Sequence, residues 1–339
     1  MEVIATVTNV ETAERLYKAC PPDFFRVNAS HMTAESLGAF CTAYSHVEGM
    51  NKIPLYIDLQ GSKLRVHRVQ PQVSVAAGDH VTLVCVAEDA EKAPEHADGV
   101  AIFVTENIMR LINAGTEVGI DDGKILLTIE SVTEDRQRAT AVVHRGGAVR
   151  PRKGFNLRPH PVTFTSLSPR DRANVEATRD FKFVRYALSF ACLPSEVAEL
   201  QELAGADKFV AVKLERPLED DATVALCKAA KELWLCRGDM GAQLGSFGAL
   251  AIYYRHFIDV LLPRLRETGR RIIMAGEVLD HMCGAEEPTR SEVCHLADIH
   301  SNGFTGIVVS NETAYGKFPE EVLKTFREVA AALNKEYPK

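Results

Sequence analysis

Tryptophan occurs once in these 339 residues, aromatic residues make up only 7%, and no two of the eight cysteines form a Cys-x-x-Cys pair. That last absence excludes a zinc ribbon and a dithiol redox motif. Cys20, Cys41, Cys85, Cys192, Cys227, Cys236, Cys283 and Cys294 therefore read as reduced thiols and not as a disulfide framework. No run of Lys and Arg forms a basic stripe. With 39 basic against 46 acidic residues and a net charge of −7, nucleic acid is not expected as a partner. Long hydrophobic runs are also missing, since the most apolar stretch, 249–262, is broken by Arg255, His256 and Asp259. No membrane partner is expected. The opening Met1-Glu2-Val3-Ile4 has no basic segment followed by an apolar one, so no secretory signal is read and the expected location is the cytoplasm.

What is present is the composition of a folded chain, 46% hydrophobic and 25% charged. Short β-branched runs alternate with longer amphipathic segments. The expected strands are Val3–Thr8, Phe24–Asn28, Leu55–Leu59, Val184–Phe190, Phe209–Glu215, Leu233–Asp239, Arg271–Glu277 and Gly306–Thr313. Helical patterns lie between them, including one at Pro169–Asp180 with Ser168 as N-cap and Pro169 in the first turn. Eight strands alternating with helices predict an α/β fold, a (β/α)8 TIM barrel. From about His67 the helical periodicity gives way to short alternating runs and turn signals such as Asp121-Asp122-Gly123. A small all-β domain inserted after the third strand is expected, with the barrel formed by 1–66 and 152–339 and a β-barrel lid by 67–151.

Polar residues at the C-terminal ends of barrel strands are the first place to look for chemistry. Here the second strand leads into Arg26 and Asn28, the third into Asp58, the fifth into Lys213 and Glu215, and the sixth into Arg237-Gly238-Asp239. Alternation puts Lys213 with Glu215, and Arg26 with Asn28, on one face. Glu215 and Asp239 could share one hard divalent ion with open positions, surrounded by Lys213, Arg26 and Arg65, which points to phosphoryl transfer. Plainer readings stand beside this one. Lys213 and Glu215 could be an ion pair closing the barrel, Arg237-Gly238-Asp239 a turn, His31 a structural hydrogen-bonder, and Asp122-Gly123 a hairpin turn.

The succession Arg26-Val27-Asn28-Ala29-Ser30-His31, Tyr56-Ile57-Asp58-Leu59-Gln60-Gly61, Asp121-Asp122-Gly123, Arg152-Lys153-Gly154-Phe155-Asn156-Leu157, Lys213-Leu214-Glu215, Arg237-Gly238-Asp239-Met240-Gly241, Pro288-Thr289-Arg290 and Ser310-Asn311-Glu312-Thr313 resembles the pyruvate kinase family. The resemblance runs through almost the whole chain. It implies that Glu215 and Asp239 hold Mg²⁺ or Mn²⁺, that Lys213 stabilises the phosphoryl group in transit, and that Arg26 contacts that group. It further implies that the backbone at Gly238 binds the carboxylate of phosphoenolpyruvate or pyruvate, and that His31, Arg65 and Lys153 lie on the ADP/ATP side. The family's larger C-terminal regulatory domain is not in this chain, so allosteric control by a sugar phosphate there is not expected, and any homo-oligomer would form through the barrel domain.

Departures from the family pattern bear on the reaction. Gly276 and Glu277 stand where the family has Thr-Gln, Cys192 replaces an arginine and Asn9 a proline. The leading expectation is phosphoryl transfer between phosphoenolpyruvate and ADP. The alternatives are a related Mg²⁺-dependent enzyme on a larger enol-phosphate or 2-oxo acid, a metal-dependent lyase, and a non-catalytic ligand-binding regulatory protein. Asn28, Ser30 and Asp58 are remnants of the family's monovalent-cation site, but Leu59 offers no side-chain oxygen there and Lys63 stands at a glutamate position. By resemblance to the potassium-independent branch, the Lys63 ammonium is expected beside Asp58 and K⁺ is not required.

Overall fold

The computed structural model describes residues 1–94, 99–158 and 167–338. Strands β1 (Glu2–Thr6), β2 (Phe24–Asn28) and β3 (Leu55–Leu59) precede eight strands of an insertion: β4 (Val73–Val75), β5 (His80–Val86), β6 (Val100–Thr105), β7 (Glu117–Ile120), β8 (Ile125–Val132), β9 (Arg138–Arg145), β10 (Gly147–Val149) and β11 (Phe155–Arg158). They are followed by β12 (Val184–Leu188), β13 (Val210–Leu214), β14 (Glu232–Cys236), β15 (Arg271–Ala275) and β16 (Gly306–Val309). The chain divides into two compact units, one of Met1–Gly61, Phe164–Arg237 and Arg255–Lys339, the other of Ser62–Thr163 and Gly238–Tyr254.

The first unit is a closed parallel barrel in the order β1-β16-β15-β14-β13-β12-β3-β2, so this chain has the α/β TIM-barrel fold. The strands are short because five residues cross such a barrel. Their inward positions repeat every second residue and stack in layers. Ile4, Phe24, Tyr56, Ala187, Ala211, Trp234, Ile273 and Val308 make the apolar interior. Two residues further along β1, β2, β3 and β13, the inward positions are Thr6, Arg26, Asp58 and Lys213. The register therefore delivers a polar layer at the C-terminal end.

At the opposite end a charged plug closes the interior. The buried Glu232 carboxylate accepts hydrogen bonds from Tyr56 Oη (2.9 Å), Trp234 Nε1 (2.5 Å) and Arg271 Nε (2.6 Å). The Arg185 guanidinium lies over the rings of Phe24 and Phe209, 4.7 and 4.2 Å from their centres.

The second unit holds a six-stranded sheet, β11-β7-β8-β9-β5-β6, and a two-stranded ribbon, β10-β4. The pairing among the described residues runs from β11 to β6 as an open order, where a barrel was expected. Between β6 and β7 stands one helix, Glu106–Leu111, too short for a 3.6-residue period to show in the sequence. The unit also takes in 238–254, which the sequence reading had placed with the barrel. No helix among the described residues is long and apolar enough to cross a membrane.

Several strands end sooner than their sequence pattern implies. The strand read as far as Asp239 stops at Cys236, where the helix Arg237–Leu244 begins, and the one read as far as Thr313 stops at Val309 before the helix Asn311–Ala314. A run that mixes glycine with alternating polar residues fits either period, and only the hydrogen bonding decides. Ser168 does cap the helix Pro169–Thr178, its hydroxyl accepting from the Asp171 amide at 3.1 Å.

Candidate active site

In the barrel unit, Lys213 is surrounded by oxygen. Its ammonium lies 3.1 Å from Asp58 Oδ2 and 2.9 Å from Glu215 Oε1, and donates to Ser189 Oγ at 2.9 Å. Three hydrogens meet three acceptors. Ser189 Oγ donates in turn to Asp58 Oδ1 at 3.0 Å. Arg26 donates to Asp58 Oδ2 from Nε at 2.8 Å and from Nη2 at 2.5 Å, and from Nη1 to Thr6 Oγ1 at 2.8 Å. Lys213 and Glu215 do form the ion pair that the plainer reading foresaw, but as part of this larger network and not as an isolated closure.

Burial and charge oppose each other at these groups. Burial would raise the Asp58 carboxyl, but the Lys213 and Arg26 charges together outweigh it and hold the group below its ordinary value. For Lys213 burial would favour the neutral amine, yet Asp58 and Glu215 raise its pKa well above the ordinary range. The lysine is a permanent cation at neutral pH.

The backbone that presents these groups is strained. Phe190 adopts a left-handed φ of 55° while fully buried, and its amide donates to Glu215 Oε2 at 2.8 Å. Gly61, at φ 57°, passes so close to the Ser189 carbonyl that a Cβ there would lie 1.9 Å from the oxygen. Only glycine fits that crossing. Ser189, Thr6 and the Phe190 amide are members of the site that sequence reasoning did not single out. Their signal was the two-residue alternation at the ends of β1 and β12.

In the second unit, Lys63 Nζ lies 2.7 Å from Asp239 Oδ2 and 3.9 Å from Asp122 Oδ1. Asp58 is bonded to Arg26 from the neighbouring strand β2 and to Lys213 from β13, two strands away on the other side of β3, because all three are inward positions of the same layer. Lys153 pairs with Asp121 at 2.8 Å, and Arg65 Nη1 donates to the Arg152 carbonyl at 2.8 Å. Asp121, Asp122 and Gly123 all have positive φ and join the antiparallel strands β7 and β8, so this motif is the hairpin turn its residues suggested. Gly238 and Asp239 lie in the first turn of the helix Arg237–Leu244, so Arg237-Gly238-Asp239 opens a helix and is not a simple turn. A Cβ at Gly238 would meet nothing within 4 Å.

Other expected residues are engaged locally. Asn28 Oδ1 accepts from the Ser30 amide at 3.0 Å and so caps the short helix Ala29–His31, while Ser30 is buried. The side chain of His31 lies outside the described part of the structure. Gly276, after β15, has φ 90° and Glu277 φ 53°. Arg237 holds this turn through the Gly276 carbonyl (3.1 Å from Nε) and the Glu277 carbonyl (2.9 Å from Nη2), and contacts His295 Nε2 at 2.7 Å.

The family model for "Pyruvate kinase, barrel domain" matches residues 3–323. The chain belongs to the pyruvate kinase family. It is 28% identical over 329 residues to a pyruvate kinase of Methylorubrum extorquens, covering 96% of this chain and 66% of that protein. Similarity to a pyruvate kinase of Staphylococcus epidermidis is 25% over 316 residues (91% and 52%), and to one of Borreliella burgdorferi 26% over 349 residues (98% and 68%). The chain thus spans about half to two thirds of the length of these curated relatives.

Against the pyruvate kinase pattern, the departure at Cys192 is accommodated within the barrel unit. The Cys192 amide and thiol both donate to Glu196 Oε2, at 2.8 and 3.3 Å. For a divalent ion, Glu215 and Asp239 offer hard carboxylate oxygens, which suits Mg²⁺ or Mn²⁺. Among the described residues no three or more His, Cys, Asp or Glu side chains are grouped to hold an ion.

Proposed function

We propose that the protein is a pyruvate kinase-like phosphotransferase that moves a phosphoryl group between phosphoenolpyruvate and ADP, giving pyruvate and ATP. The observation that carries this reading is the buried Lys213 ammonium, fixed by Asp58, Glu215 and Ser189 at the C-terminal end of the barrel. A cation already oriented before substrate arrives stabilises charge on phosphoryl oxygens without reorganising. Arg26, steadied by Thr6 and Asp58, supplies a second fixed positive group for the same anion. Glu215 and Asp239 would hold Mg²⁺ or Mn²⁺, which when bound screens the charge of the phosphoryl oxygens. The bare Cα of Gly238, in the first turn of its helix, leaves room for the carboxylate of phosphoenolpyruvate against backbone amides. Arg65 and Lys153, with His31, are the proposed contacts for the nucleotide phosphates.

Potassium is not needed in this reading. Asp58 already has two fixed cations, Arg26 and Lys213, and a further monovalent ion would be repelled by both. All eight cysteines are free thiols, in keeping with a cytoplasmic setting. Gly276 and Glu277 favour, as a second reading, a larger enol-phosphate or 2-oxo acid in place of phosphoenolpyruvate or pyruvate, because the turn they form carries no hydroxyl. A coupled assay with ADP, Mg²⁺ and phosphoenolpyruvate in sodium-only buffer should yield pyruvate and ATP in equal amounts, with no gain when potassium replaces sodium at equal ionic strength. Absence of ATP in both buffers would refute phosphoenolpyruvate as the donor, and strong potassium activation would refute the cation argument.

A further inference from the structure

Lys63, Asp122, Gly154, Asn156 and Asp239 all belong to the second unit and converge on a small polar nest. The Lys63 ammonium is bonded to Asp239 Oδ2 at 2.7 Å, with the two side chains only 13% and 12% exposed, and it stands 3.9 Å from Asp122 Oδ1. Gly154 marks the centre. A Cβ on it would lie 3.2 Å from Lys63 Cε, 3.5 Å from Asn156 Oδ1 and 3.7 Å from Asp122 Oδ1. Asn156 is 2% exposed, and its Oδ1 accepts no hydrogen bond. A buried amide oxygen left without a donor is costly, and such atoms are uncommon in folded proteins.

We propose that Lys63 is an internal cation with two seats. With no divalent ion at Asp239, its ammonium neutralises that carboxylate. When a divalent ion takes Asp239, the ammonium swings across the bare face of Gly154 to Asp122 Oδ1 and Asn156 Oδ1. This rests on Asp239 being a divalent-ion ligand, as in the reaction proposed above, and specifies what that ion has to displace. The physical case follows from charge and reach. An ammonium and a divalent ion on one carboxylate repel each other, so one must withdraw. Lysine has rotatable terminal bonds and three donors, which permits a small movement of the ammonium. The second seat has one acidic and one neutral oxygen, so the charge is retained nearby and no buried ammonium is stranded. Lys63 then acts as a positioning residue that weakens divalent-ion binding and makes it reversible.

The test is a Mn²⁺ titration of the full chain, free of nucleotide and substrate, followed by calorimetry and by the electron paramagnetic resonance of free Mn²⁺. Lys63→Met, and Lys63→Gln as a second variant, should tighten Mn²⁺ binding by about fivefold or more, because the competitor is gone. Asp122→Asn lies at an exposed turn and should leave the fold intact. It should weaken binding by about threefold in the presence of Lys63 and by much less in the Lys63→Met background, the signature of an effect relayed through the lysine. Unchanged or weaker Mn²⁺ binding in both Lys63 variants would overturn the proposal, as would an equal effect of Asp122→Asn in the two backgrounds. Asp239→Ala separates the two levels. If it loses Mn²⁺ while the Lys63 variants match wild type, only the two-seat lysine fails; if it binds Mn²⁺ like wild type, Asp239 is no ligand and both readings fail.

Discussion

Lys213 differs from a surface lysine in that all three of its donors are used before any substrate is present. Its charge is therefore fixed in place as well as in sign. If that charge is matched to oxygens that become more negative during transfer, it acts on the transition state more than on the ground state. Lys213→Met should lower kcat by about three orders of magnitude or more while KM stays within about threefold. Steady-state kinetics with a thermal melt of the variant checks this, and a loss confined to KM would assign Lys213 to binding alone. Lys213→Arg is not expected to rescue, since a planar fork does not reproduce three converging acceptors around one nitrogen.

The end of β15 and the helix Arg290–Ser301 are tied by Arg237, which spans the carbonyls of Gly276 and Glu277 and the ring of His295. Burial and the neighbouring Arg237 push the His295 pKa from its ordinary 6.5 down to about 4. Between these values the unfolded chain takes up a proton that the folded one refuses. The stability that this histidine contributes is thus complete above pH 6.5 and is lost as the pH falls toward 4. His295→Gln keeps an acceptor for Arg237 and removes the titration, so its melting temperature should fall less between pH 7 and pH 5 than that of wild type. Equal pH slopes in parallel thermal melts would show that His295 is not the titrating group. The same element explains why the missing hydroxyl at 276 is not a simple vacancy: at φ 90° a β-branched residue is strongly disfavoured, so glycine and this turn belong together.

For the molecule as a whole, barrel closure at the N-terminal end depends on Glu232, which joins β3, β14 and β15 through Tyr56, Trp234 and Arg271. Burial raises the Glu232 carboxyl, while the Arg271 charge and the three donors pull it back. Glu232→Leu would leave a buried phenol and indole N–H without this acceptor and Arg271 with Glu2 as its remaining carboxylate, at a cost of about 3 kcal/mol. The urea midpoint should drop accordingly, and the fluorescence of Trp234, the one tryptophan, reports it directly. A midpoint equal to that of wild type would mean that the plug is neutral to stability. Glu232→Gln retains an acceptor and should lose less.

The chain by itself determined the alternation of strands and helices, and with it the barrel, because hydrophobic periods of 2 and 3.6 are local properties of neighbouring residues. β2 and β3 are found at the bounds their patterns dictate. It also determined which residue types stand at the strand ends, so Arg26, Asp58, Lys213 and Glu215 could be named from spacing. Only the tertiary structure decided which of them meet. Lys63 bonds Asp239, and the cations on Asp58 are Arg26 and Lys213, since partner choice depends on register across strands and on turns such as Gly61. The Phe190 amide joins the site through a left-handed turn that no local pattern encodes. Likewise 238–254 joins the unit of the inserted strands, because assignment to a unit is a matter of long-range packing, and a segment's own composition carries no record of what it will pack against.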